Sequence, residues 1–149
     1  MSRHVFSALF VAAAMFGSGC DEKLNSLTGP TPNLQPTLAS IQREIFDTTD
    51  SAGRQSCITC HSDQGRTPSG GLVLTVGRSY QSLVSVVSSR KAGATLVIPG
   101  DPDNSYLIHK LEGAPDIVGV RMPRTGPPYL TSGQLLVIRR WIQLGAKND

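Results

Sequence analysis

Apolar positions recur at helical spacing in four stretches of the chain, separated by polar segments rich in glycine and proline. Leu38, Ile41 and Ile45 lie at i, i+3 and i+7, one stripe of an amphipathic helix that starts at Thr37 and ends near Asp47. Tyr80, Leu83, Val84 and Val87 repeat i, i+3, i+4 and i+7 and predict a second helix. A short apolar stretch from Thr95 to Ile98 stops at Pro99-Gly100. Asp101-Pro102-Asp103-Asn104 then offers caps for a third helix that runs through Glu112 and ends at Gly113. Thr131 and Gln134 have the spacing of a capping box and open a fourth helix, with Leu135, Ile138 and Ile142 turned inward and Gly145 at its end. Four helices joined by long irregular loops define an all-α domain over residues 37–149.

Two segments precede that domain. Residues 1–19 have a basic start at Arg3, an apolar run from Val5 to Phe16 and the small residues Gly17-Ser18-Gly19 before Cys20, the layout of a bacterial secretory signal. The apolar run is shorter than the roughly 20 residues a transmembrane helix needs. Small residues followed by cysteine resemble the lipobox at which a lipoprotein leader is cut and the cysteine acylated, although Gly17 stands where leucine is usual. Residues 20–36 then read as a flexible tether: Asp21 to Pro36 is polar, holds three prolines and has no apolar period. The expectation is an exported protein, periplasmic or anchored to a membrane by lipid on Cys20.

Composition sharpens this picture in two ways. Aromatic residues make up only 5% of the chain, so a small core would gain from a large apolar cofactor at its centre. The three cysteines, an odd number in an exported chain, leave one over from any disulfide scheme. The formal charge of +3 comes from lysines and arginines spread along the sequence, with Arg90-Lys91 and Arg139-Arg140 the only adjacent pairs, so no nucleic-acid footprint stands out.

The chemistry centres on Cys57-Ile58-Thr59-Cys60-His61. Two cysteines three apart, with histidine directly after, let both thiols of one turn reach the vinyl carbons of a haem while the imidazole points at the iron. The motif predicts one covalent haem c on Cys57 and Cys60, with His61 as proximal iron ligand. CxxC is also half a zinc site or a redox dithiol. Zinc would need further ligands, and His109 is the only other histidine after the leader. A dithiol oxidoreductase would need a βαβ pattern that the helical periodicity does not offer.

For the sixth iron position the residues are Met122 and His109. Met122 is the only methionine after the leader, in a loop, Arg121 to Pro128, with few reasons to hold an apolar residue unless it turns inward; Pro123 stiffens its backbone. Met packing in the core is the plainer alternative. On a wheel of about 100° per residue, His109 falls nearly opposite Leu107, Ile108 and Leu111, so a solvent-facing histidine is the better reading and bis-histidine ligation the runner-up. A His/Met pair leaves no open place for oxygen or peroxide, which points to electron transfer with redox proteins as partners and not to an enzyme. The alternative is a haem peroxidase or gas-binding protein with a loosely held Met122. The Pro68 carbonyl is the expected acceptor for the other ring N–H of His61. Trp141, Tyr129, Arg121 and Arg124 are possible propionate donors, Trp141 more readily a core residue.

Residues 57–146 resemble the small monohaem cytochrome c domains of class I, in particular the planctomycete-type cytochrome c family. The resemblance is carried by CITCH at 57–61, PSGGL at 68–72, VIPGDPDNSYLIHKLEG at 97–113, RMP at 121–123, GPPYLT at 126–131 and IRRWIQLGA at 138–146. It implies a cytochrome c-like fold in which the helix near 38–47 crosses the helix near 132–145, with haem between the motif and a methionine loop and Met122 in the distal role. The long polar stretch between the first helix and Cys57 departs from that pattern.

Overall fold

The computed structural model describes residues 33–149, so the leader, Cys20 and most of the tether lie outside the described residues. Thr37 is extended, and its Oγ1 accepts the Ser40 N–H at 3.2 Å, capping α1 (Leu38–Ile41). Asp149 closes the same end from the far side of the sequence: its Oδ1 accepts the Leu38 N–H at 2.9 Å and its backbone oxygen the Ala39 N–H at 2.7 Å. The helix continues as a π-helical turn over Gln42–Phe46, closed by the Asp47 N–H donating to Gln42 O. That wider turn puts neighbouring Ile45 and Phe46 both in the core, beside Leu38 and Ile41. Packing also begins earlier than the periodicity indicates. Leu34, inside the segment read as tether, is buried in the same core, and a single leucine among prolines has no period to reveal it.

The second predicted helix is cut short. α2 (Ser79–Leu83) ends at Val84, which is extended, and the chain turns back to meet Thr95–Val97. Ser85 N–H donates to Val97 O at 2.9 Å and Leu96 N–H to Val86 O at 2.8 Å. Val84, Val86 and Val87 are β-branched and interspersed with serines at 85 and 88, so the segment prefers extended backbone to helix despite its spacing. Val87, expected on the buried stripe, is 65% exposed. Among the described residues these contacts remain isolated bridges and no strand forms.

α3 (Tyr106–Glu112) starts after Ser105, later than the Asp101 to Asn104 caps suggested; Asp101 instead closes its own turn by accepting the Asn104 N–H. Gly113 ends α3 in left-handed backbone at φ 76°. α4 (Ser132–Gln143) has the expected capping box, with Thr131 Oγ1 accepting Gln134 N–H at 3.2 Å and Gln134 Oε1 accepting Thr131 N–H at 3.0 Å. Its core face is Val137, Ile138, Trp141 and Ile142, while Leu135 lies at the edge of the core. Both α1 and α3 pack against α4. Trp141 is 1% exposed and its Nε1–H donates to Lys147 O at 2.9 Å, so it is a core residue with its N–H already used.

Candidate functional site

Cys57–Thr59 forms a single 3-10 turn at the edge of this core. Cys60 and His61 N–H both return to Cys57 O, at 3.2 and 3.0 Å, which gathers the two thiols and the imidazole on one turn. The following loop folds back over it: Ser69 N–H donates to Cys60 O at 3.0 Å and Leu74 N–H to His61 O at 2.8 Å. Both thiols are free and half-buried. Cys57 packs against the core, and its Sγ lies 3.7 Å from Ile45 O. Burial pushes the Cys57 thiol up to about 11, with the Arg54 guanidinium opposing the shift.

The polar stretch before the motif contains a residue that periodicity and motif both overlook. Arg54 is 1% exposed. Its Nε donates to Asp50 Oδ2 at 3.1 Å, and its terminal nitrogens reach Ile45 O and Thr48 O at 3.4 Å and Gln55 O at 3.2 Å. The guanidinium therefore satisfies carbonyls left unpaired where the first helix ends, and it shares Ile45 O with the Cys57 sulfur. An acidic residue four before an arginine, Asp50 and Arg54, was the one sequence signal for this brace. Gln42 supplies a second, with Nε2 donating to Leu74 O at 2.8 Å and Oε1 accepting from Ser79 Oγ at 2.6 Å.

His61 Nδ1 is buried and has no hydrogen-bond partner. The Pro68 carbonyl, expected to accept from it, takes the Gly71 N–H at 3.0 Å, because Ser69–Gly71 curls into a 3-10 turn and turns that oxygen along the chain. Burial lowers the His61 pKa below its ordinary value; the Lys110 ammonium acts in the same direction and the backbone at Ser69 and Leu72 opposes it. The ring is thus held neutral, the form that can bind a metal.

Met122 is half-buried against the same hydrophobic core as Cys57. Its N–H donates to Lys110 O at 2.8 Å, so α3 positions it. Arg121 anchors the loop: Nε donates to Leu111 O at 2.7 Å and the guanidinium stacks 4.0 Å from the Tyr129 ring centroid. Arg124 is exposed. Both His109 ring nitrogens are already engaged, Nδ1 with the Asp116 carboxylate and Nε2 with Asp103 O. Beside the motif a cavity of about 380 Å³ opens between Ile58, Asp63, Thr75 and Arg78; Cys57, Cys60, His61 and Met122 do not line it.

Comparison with known protein families, with curated proteins and with solved structures finds no match to this chain.

Proposed function

We propose that the chain is a monohaem c-type cytochrome that passes single electrons between redox proteins, with thioethers on Cys57 and Cys60 and iron held by His61 and Met122. The observation that carries this reading is the turn at 57–61, which fixes a neutral, half-buried imidazole beside two free thiols. The competing chemistries fit less well. A redox dithiol needs a lowered thiol pKa, whereas Cys57 stays protonated at neutral pH. Zinc on Cys57, Cys60 and His61 would still want a fourth ligand, and His109, the other histidine after the leader, is engaged with Asp116 and Asp103 O.

When bound, the haem supplies one-electron exchange at iron. The chain's own residues do the rest. Cys57 and Cys60 hold the porphyrin against loss, and His61 stays neutral as a nitrogen donor. Met122 would offer iron a soft sulfur that favours the ferrous state, which is why the reading is an electron carrier and not an enzyme. Export, and a lipid anchor on Cys20 as in the lipobox-like leader, belong to the same proposal, as does the class I, planctomycete-type cytochrome c fold.

The test uses the full chain matured in a host that attaches haem. Intact mass after denaturation should increase by one haem, and the ferric protein should show the long-wavelength absorption band of methionine-ligated iron. Met122→Ala should lose that band and keep the haem mass. An unmodified mass, or a haem-loaded ferric wild type that lacks the band, overturns the assignment.

A further inference from the structure

The loop from Gly113 to Met122 is laid back across α3 by that helix's own residues. His109 O accepts the Gly113 and Ala114 N–H groups at 2.9 and 3.0 Å, and the Tyr106 hydroxyl accepts Val118 N–H at 2.9 Å. Lys110 Nζ donates to Val118 O and Val120 O, Leu111 O takes Arg121, and Lys110 O takes the Met122 N–H. The His109 ring completes the set. Its Nε2 lies 2.7 Å from Asp103 O, and its Nδ1 lies 2.9 and 3.0 Å from the two Asp116 carboxylate oxygens.

Both of those partners are acceptors. A neutral imidazole has one N–H, so it satisfies one partner and turns a lone pair toward the other; only the imidazolium donates to both. The charged groups around the ring are few. Asp116 also accepts from Lys91 Nζ, and Lys91 sits 5.1 Å from the Tyr106 ring centroid. The Asp103 carboxylate pairs with Arg139 of α4, which also holds Glu112, and the Lys110 ammonium is engaged with loop carbonyls. The Asp103 carbonyl first, and then Asp116, raise the His109 pKa above its ordinary value, with burial and, less strongly, Lys91 opposing. Asp116 lies midway along the loop whose last residue is Met122.

We propose that His109 is a proton-operated positioning residue for Met122: its imidazolium latches the loop to α3 at Asp116, and loss of the proton loosens the segment that presents the methionine. Control of iron ligation rests on the cytochrome reading; the latch on the loop does not.

Amide exchange of the full chain between about pH 5 and pH 9, corrected for the intrinsic base-catalysed rate and followed beside the His109 imidazole NMR signals, tests both parts. Protection of the Val118 and Met122 N–H groups should fall about threefold to fivefold as His109 titrates, the scale of a partly exposed ion pair. The Cys60 and His61 amides should not follow. In His109→Gln and Asp116→Asn the pH dependence should vanish, and in the ferric wild type the methionine band should weaken over the same range. Wild-type protection that is flat across the His109 titration overturns the latch, as does a pH dependence that persists in both variants. A titrating loop in a protein that never shows the methionine band supports the latch and overturns the cytochrome reading.

Discussion

The turn at 57–61 and the loop at 113–122 each carry one proposed iron ligand, and they are braced from opposite environments. The turn closes on itself through Cys57 O and rests on Arg54, whose side chain has no exposed area. The loop is held from outside by α3, through groups that remain in contact with water; Val118 and Val120 are 51% and 54% exposed, and the Asp116 side chain 44%. A buried brace is costly to remove because the groups it leaves cannot turn to solvent. A wet brace is cheap to exchange, and its strength follows pH and salt. Packing makes the first proposed ligand permanent, and the placement of the second is adjustable.

The largest expected effect breaks the buried side. Arg54→Met removes the guanidinium from Asp50 Oδ2 and from the carbonyls of Ile45 and Thr48, and denaturant unfolding should show a loss of about 3–5 kcal/mol. A loss below about 1 kcal/mol would mean that water replaces the guanidinium and the contrast with the loop is wrong. Gly126→Ala strikes the other side: a Cβ there would lie 2.5 Å from the Tyr129 ring that stacks on Arg121. Unfolding should show a cost of about 1–3 kcal/mol, with Met122 ligation disturbed while covalent haem is retained. Unchanged ligation would show that the Arg121–Tyr129 stack does not govern Met122.

The smallest effect is the pH dependence of stability from His109. Its folded pKa is raised, so its contribution is complete below the unfolded imidazole value and is lost as pH rises through the folded one. The ring is partly exposed, so denaturant unfolding should record about 0.6–1 kcal/mol, the same change that loosens the loop, absent in His109→Gln. A fall in stability toward acid over that range would reverse the sign and remove His109 as a stabilising cation.

Local signals in the sequence were legible where one turn or one stripe carries the physics. The capping box at Thr131 and Gln134, the Gly113 stop and the Leu38, Ile41, Ile45 stripe all appear as expected. Helical spacing failed at Val84 to Val87, where β-branched residues found extended partners at Thr95–Val97. Arg54 was hidden because a buried arginine looks like any surface arginine until the carbonyls around it are known. The Pro68 carbonyl was assigned by proximity in sequence, and the turn at Ser69–Gly71 directs it elsewhere.

The sequence by itself determined the helical character of the chain and the grouping of Cys57, Cys60 and His61, since three residues on one turn are adjacent whatever the rest of the chain does. Only the tertiary structure decided that His61 Nδ1 is buried and unpartnered, that Cys57 and Met122 rest on one core, and that His109 lies between two acceptors. Those outcomes depend on burial and on partners distant in sequence, and desolvation and hydrogen bonding are set by whatever surrounds a group once the chain has folded.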